Sequence, residues 1–341
     1  MKKHFTTILI SFALISIMAS CAKKTTSTFS FAFYNLENLF DTINDPNISD
    51  ENYLPDSKVA WNTERYNHKL DNISLVMKSI DTIGFPALFG LCEVENIDVV
   101  EDLINHSNLK NAGYSIIHKD SPDERGIDVA LLYIPSIFNP ISTKYIVPDF
   151  PDNPDNKTRD ILYSKGVVNN NDTLHVFINH WVSRWGGQEE TEPSRIKIAS
   201  IIKNITDSIL NLQPLANIII AGDLNDNPTD TSVFNVLEAR EVSDKLLDKT
   251  LYNLSLTKFK NGDGSLYYKS WDMFDQIIIS TSMLTGKNGL KVGSPNQIVF
   301  KEDWMLYQPK KGPARPSRTA AGRYYGGYSD HLPVMINIST Q

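Results

Sequence analysis

Asp223 and Asn225 stand at the end of the run Ile218-Ile219-Ile220-Ala221-Gly222, and six more polar residues share that setting. Glu93 follows Leu88-Phe89-Gly90-Leu91-Cys92, His180 closes a stretch over 173–179, and Asn35 closes another over 28–34. Asp275 stands before the apolar run 276–280, while Asp330 and His331 stand before the alternating Val334, Ile336 and Ile338. Four carboxylates, two amides and two imidazoles, with no thiolate cluster, make up the set. Such donors suit a hard divalent cation, magnesium or alternatively manganese, which keeps several waters and needs only one or two protein carboxylates. A cation of that kind points to phosphate chemistry.

Delivering these side chains to one place is a task for strands. An Ile-rich run ending in Gly and polar residues reads as a buried strand, and open α/β sheets collect their functional groups at the carboxyl ends of strands. The segments 28–34, 87–91, 114–118, 128–133 and 276–280 predict further strands, and 161–168 with 173–179 predict a hairpin across Asn169-Asn170-Asn171-Asp172. Helical spacing recurs at Ile73, Val76, Met77 and Ile80, and again at Val99, Val100, Leu103 and Ile104. It recurs a third time at Ile198, Ile201, Ile202, Ile205 and Ile209, where Glu192 and Pro193 supply a start. A short helix is expected near 233–237, and residues 41–62 and 149–156 read as surface loops. Strand alternating with helix is the α/β pattern, and with no repeat or linker inside 29–341 a single domain is expected there.

Residues 1–20 read as a processing signal: Lys2 and Lys3 precede an apolar core over 5–18 that is too short for a membrane span. Met18-Ala19-Ser20-Cys21 resembles a bacterial lipobox, which implies cleavage before Cys21, lipid attachment to it, and a tether over 21–28. The expected address is the cell envelope, on its periplasmic or outer-surface side. Loss of residues 1–20 removes two lysines and no acid, taking the formal charge from −7 to −9. An acidic body argues against indiscriminate binding of polyanions, although a local basic patch can still grip one phosphate. Cys92 is the only other cysteine, so the fold must rest on its core.

Six motifs in order carry a family resemblance: Tyr34-Asn35-Leu36-Glu37-Asn38, Leu91-Cys92-Glu93, Asn179-His180-Trp181, Gly222-Asp223-Leu224-Asn225, Asp275 before a strand, and Ser329-Asp330-His331. Together they resemble the endonuclease/exonuclease/phosphatase family over nearly the whole of 29–338. The resemblance implies a fold of the α/β (α+β) class, a four-layer sandwich of two mixed β-sheets flanked by helices. It also implies Glu93 as the principal magnesium ligand, with Asn35 and Asp330 near the metal. Asp223 would orient and deprotonate an attacking water, and Asn225 would hold that water or a phosphate oxygen. His180 and an Asp275-paired His331 would bind the phosphoryl oxygens. Arg125, Arg159 and Arg184, in segments similar to family patterns, and Arg195 near them are candidates to contact substrate phosphate, with ordinary ion pairing the alternative. In-line attack at phosphorus needs these parts: an activated water, positive charge on the phosphoryl oxygens and a neutralised leaving oxygen.

The shared site leaves the substrate open. Having both His180 and His331 resembles the deoxyribonuclease and sphingomyelinase branches more than the abasic-site repair branch. The stretch 304–329 carries Lys310, Lys311, Arg315, Arg318 and Arg323 among Trp304, Tyr307, Tyr324, Tyr325 and Tyr328, with no acid. Cations beside aromatic faces hold a polyanion and stack bases, or seat a lipid headgroup. The expectation is a metal-dependent hydrolase of phosphodiesters, nucleic acid first. Sphingomyelinase or phospholipase C-like action, phosphomonoester hydrolysis, and a non-enzymatic surface-binding lipoprotein are the alternatives. Besides substrate and membrane, no protein partner is inferred.

Overall fold

The computed structural model describes residues 27–151, 157–169 and 171–341. The expected signal and Cys21, and part of the loop at 149–156, lie outside the described residues. In chain order come β1 (Thr28–Leu39), α1 (Thr63–Ser79), β2 (Leu88–Val94), α2 (Ile97–Asn105), β3 (Ser115–His118) and β4 (Asp128–Tyr133). Next are β5 (Phe138–Ile146), β6 (Ile161–Val168), β7 (Asp172–His180), α3 (Gln188–Leu212), β8 (Asn217–Asp223), β9 (Arg240–Glu241) and β10 (Leu251–Asn253). Then follow α4 (Leu256–Lys260), β11 (Leu266–Tyr267), β12 (Trp271–Asp272), β13 (Asp275–Ser280) and α5 (Thr281–Thr285). The chain closes with β14 (Leu290–Val292), β15 (Ile298–Val299), β16 (Leu306–Tyr307), β17 (Arg315–Pro316) and β18 (Val334–Thr340).

Two large mixed sheets result. One runs β14-β18-β1-β2-β4-β3, with β15 also on β18, and the other runs β5-β6-β7-β8-β13-β10-β9. Strand alternation assigns the faces. Phe31 and Phe33 of β1 pack with Ile219 and Ala221 of β8, Ile178 of β7 and Ile277 of β13 in a core between the sheets. Ala32 and Tyr34, one residue out of phase, pack instead with Ile73, Val76 and Met77 of α1 and Val99, Val100 and Leu103 of α2. On the far side, Ile218 and Ile220 meet Ile198 and Ile202 of α3. Helix, sheet, sheet and helix therefore form four layers, and each fully buried Ile, Phe or Met contributes roughly 1.5–3 kcal/mol. Gly90 permits the close approach of the sheets, because a Cβ there would stand 2.7 Å from Ile178 Cδ1 and 2.9 Å from Phe33 Cδ2.

Local signals account for the helix starts that matter here. Asn62 accepts a hydrogen bond from Arg65 N to cap α1, and Asn96 accepts one from Val99 N to cap α2 directly after β2. Several elements differ from the sequence expectation. β1 does not stop at Tyr34 but continues through a bulge to Leu39. α3 begins at Gln188 rather than at Glu192 and Pro193, so Pro193 lies inside its amino-terminal portion, where few intrahelical bonds are lost. The edge strand β5 has no apolar alternation because most of its residues are exposed, and it went undetected.

Candidate active site

Topology brings the polar residues together. β1 and β2 are parallel with Asn35 opposite Cys92, and β7 and β8 are parallel with His180 opposite Asp223. The antiparallel β13 starts where β8 ends, placing Asp275 opposite Asp223. β18 starts opposite Phe33, so Ser329, Asp330 and His331 precede it at the same rim. Ser329 Oγ donates to the Asn35 carbonyl at 2.8 Å, which ties that segment to β1. Gly222 is required by this packing: a Cβ would lie 2.3 Å from the Asn179 carbonyl oxygen and push Asp223 out of register.

Asp223 is the centre of the constellation. Its Oδ1 accepts from the Asn225 amide at 2.9 Å, and its Oδ2 accepts from Asn35 Nδ2 at 2.9 Å. The same Oδ2 lies 3.8 Å from His180 Nε2 and 3.7 Å from His331 Nε2, too far for hydrogen bonds. His331 Nδ1 contacts Asp275 Oδ2 at 2.7 Å. Glu93 is half-buried; its Oε1 accepts from Asn35 Nδ2 at 3.1 Å and its Oε2 from the Asn38 amide at 2.9 Å. Around the rim Glu37, Asn38, Glu93 and Asn225 have φ of 51°, 57°, 60° and 49°. Sparsely populated backbone conformations cost on the order of 1–3 kcal/mol each and persist where the surroundings hold them.

Charge is distributed unequally. Burial pushes the Asp223 carboxyl up to about 6, against the pull of His331 and with help from Asp275 and Glu93. Burial opposes a charge on His331, but Asp275 and Asp223 outweigh it and raise its pKa well above the usual imidazole value. Burial, followed by Arg159, Arg125 and His331, holds His180 well below that value. The surroundings therefore push the two imidazoles in opposite directions.

Glu93, His180 and Asp223 present ligand atoms within 4.8 Å of one another, as do Asp223, Asp275 and His331. The nearby thiol of Cys92 is turned into the core between the sheets. Carboxylate oxygens with imidazole nitrogen and no thiolate fit a hard divalent cation. Asn35 does not offer its oxygen to this cluster, because Oδ1 accepts from the Glu37 amide at 2.9 Å and turns Nδ2 toward Glu93 and Asp223. Asn35 thereby bridges the two carboxylates. Asp330 lies outside both clusters; its Oδ2 takes Arg318 Nη2 at 2.6 Å and its Oδ1 is 4.0 Å from His331 Nε2.

The arginines also differ from expectation. Arg159 is buried, donating to Asp123 Oδ2 at 2.9 Å and to the Trp181 carbonyl at 2.6 Å, so it is a cation behind His180 and not a substrate contact. Arg184 donates to the Asn225 carbonyl at 2.8 Å, to Asp226 at 2.9 Å and to Gln188 at 2.9 Å, which supports the Asn225 turn. Arg195 is buried against Asp226 at 2.8 Å. Arg125 is half-exposed, 3.7 Å from Asp123, and free to meet a ligand. Asn225 Nδ2 is committed to the Trp181 carbonyl at 3.0 Å, so it is Oδ1 that can accept from a water.

Sequence reasoning missed Glu37, Lys69 and the particular place of Arg318. Lys69 lies on the buried face of α1 with Tyr66, Leu70 and Ile73, and a lysine inside an apolar helical stripe is the signal that could have found it. Burial lowers its pKa to about 8 and raises that of Glu37 to about 7. Beside them opens a groove of about 1400 Å³ reaching from Arg184 and Trp185 to Arg318 and Asp330. Lys269 lies over Tyr268 at 5.3 Å, Arg315 over Tyr307 at 5.5 Å and Arg323 over Tyr325 at 4.7 Å along its walls. The basic, aromatic stretch is thus divided, since Tyr324 packs toward Trp61 and Trp304 toward Tyr328.

Residues 30–340 match the Endonuclease/Exonuclease/phosphatase family. Among solved structures, an endonuclease/exonuclease/phosphatase family protein from Bacteroides thetaiotaomicron aligns with TM-score 0.56 and 14% identity, covering 93% of this chain and 99% of that one. A mannosyl-6-phosphatase from Bacteroides thetaiotaomicron aligns with TM-score 0.54 and 15% identity over 91% and 99%. D. rerio TDP2 complexed with a single-strand DNA product aligns with TM-score 0.55 and 14% identity over 92% and 99%. At such identities the likeness is one of fold. No curated protein matches the chain in sequence.

Proposed function

The chain belongs to the endonuclease/exonuclease/phosphatase family, and from that premise we propose that it hydrolyses phosphodiesters, nucleic acid first, by in-line attack of an activated water. A bound divalent cation, magnesium or manganese, would polarise a phosphoryl oxygen and offset the charge on the leaving oxygen. Glu93 would be the principal ligand of that cation. Asp223, whose pKa burial raises to about 6, takes the proton of the attacking water. Asn225 Oδ1 accepts the second hydrogen of that water, while Asn35 and the Asn225 amide hold the carboxylate in place. His331, kept protonated and aimed by Asp275, donates to a phosphoryl oxygen as charge builds on it. Neutral His180 offers a single donor on the opposite side.

The observation that carries the choice of substrate is the groove beside Asp330, where cations lie over exposed aromatic rings. A monoester needs no such length of wall, whereas a single-stranded polyanion with stackable bases uses all of it. Incubation with a single-stranded DNA oligonucleotide, RNA, phospholipid vesicles and a sugar phosphate, each with magnesium and then with excess chelator, tests the reading. Oligonucleotide cleavage that disappears in chelator is expected, and Glu93→Gln should raise the metal concentration required. Hydrolysis of the sugar phosphate alone would replace the reading with a phosphomonoesterase. For location, Lys2, Lys3, the apolar core and Cys21 support a lipid anchor in the cell envelope, and membrane fractionation of Cys21→Ser against the parent checks it.

A further inference from the structure

Arg318 stands where the reaction centre meets the groove. Its Nε donates to Glu37 Oε1 at 3.1 Å and its Nη2 to Asp330 Oδ2 at 2.6 Å, while Nη1 makes no hydrogen bond among the described residues. The side chain is 43% exposed and lines the groove. We propose that Arg318 is a specificity-determining residue that receives a second anionic group of the substrate, adjacent to the phosphoryl group under attack, and that Glu37 and Lys69 are its positioning residues. The proposal rests on the phosphoesterase reading of this site and adds the requirement for a neighbouring charge.

The anchoring argues for it. Glu37 is buried, and beyond Arg318 its carboxylate accepts from the Thr319 amide at 2.6 Å and the Ala320 amide at 3.4 Å. Lys69 Nζ donates to the Glu37 carbonyl at 3.0 Å, to Thr319 Oγ1 at 2.6 Å and to the Tyr328 carbonyl at 3.3 Å. Burying a lysine and a glutamate carries a desolvation cost that an ordinary surface ion pair never incurs. Here the hydrogen bonds from Glu37 and Lys69 hold the backbone that follows Arg318 against β1 and α1. The guanidinium is consequently presented in one orientation, with Lys69 offsetting Glu37 and an edge of its planar fork facing the groove. Asp330 lies between the two cations, with one oxygen at 2.6 Å from Arg318 Nη2 and the other at 4.0 Å from His331 Nε2, which sets Arg318 one group farther from the reaction centre.

Thymidine 3′,5′-bisphosphate and thymidine 5′-monophosphate, titrated into the full chain by calorimetry, test this. The native protein should bind the bisphosphate about tenfold more tightly, as one charge-assisted hydrogen bond would give. Arg318→Ala should bring that ratio close to one, and Arg318→Lys should recover part of it, because the charge returns without the fork. A ratio unchanged in Arg318→Ala, or a native protein that binds both equally or neither, overturns the proposal. Turnover of bis(p-nitrophenyl) phosphate by the native protein, measured alongside, judges the reaction separately. Its absence with the ratio intact would remove the phosphodiesterase reading and leave Arg318 an anion-binding residue.

Discussion

His331 and His180 occupy opposite corners of one site, each within 3.8 Å of the same Asp223 oxygen and each buried. Their surroundings nevertheless push their pKa values in opposite directions. The His331 corner is acidic, with Asp275 at 2.7 Å and Asp330 at 4.0 Å, and these carboxylates overcome the burial that would neutralise the ring. The His180 corner also faces an acid, Glu93 Oε1 at 3.8 Å, but burial and then Arg159 behind it hold the ring's pKa well below the usual value. Identical side chains at equivalent distances from a common partner are thus given different chemistry by the sign of what stands behind them. One corner can stabilise developing negative charge, and the other can hold a ligand without competing for a proton.

Asp223 serves both corners, so Asp223→Asn should show the largest effect. A positioned base contributes on the order of a hundred- to ten-thousand-fold, and turnover should fall by that much while oligonucleotide binding changes little. Near-normal turnover would remove Asp223 from the centre of the comparison. Next comes the charged corner: loss of a preorganised donor typically costs about a hundred- to a thousandfold, and His331→Ala should reduce turnover accordingly. If Asp275 works only by charging and aiming that ring, Asp275→Asn should add little once His331 is already Ala. Multiplying losses in the double variant would show Asp275 acting independently.

The neutral corner should respond less. A hydrogen bond from an uncharged donor is worth about 0.5–1.5 kcal/mol net, so His180→Gln should lower turnover by roughly tenfold or less; a loss equal to that of His331→Ala would mean that the two corners are alike. The smallest effect concerns His175, buried like His180 but far from catalysis, paired with the Tyr163 hydroxyl at 2.8 Å. Burial, with Lys165 adding to it, pushes its pKa down to about 4. The unfolded chain binds that proton below about 6.5 and the folded chain does not until about 4, so this group removes stability as pH falls through that window. Melting curves between those limits should be less steep in pH for His175→Gln. An unchanged slope would show that burial alone does not neutralise an imidazole in this core.

Strand ends were legible because strand formation is local. The apolar runs before Glu93, His180 and Asp223, and after Asp275, announced where each side chain would leave the sheet, and the described structure brings all four to one rim. Alternation along β1 and β8 likewise carried the assignment of inner and outer faces. β5 was invisible for the converse reason, since an edge strand with exposed faces has no pattern to impose.

Tertiary structure decided the charges and the partners. Asp275 is 56 residues from His331, and Glu37 is 281 residues from Arg318, so no local pattern could say which acid would meet which base. Arg159 resembled a substrate contact in sequence and is a buried cation, because Asp123 and the Trp181 carbonyl reach it first. Asn35 bridges Glu93 and Asp223 because the Glu37 amide takes its oxygen and turns its amide nitrogen toward them. Periodicity along a chain determines which way a side chain faces. Its proton affinity and hydrogen bonds depend on distances through space, and those exist only after distant strands have packed.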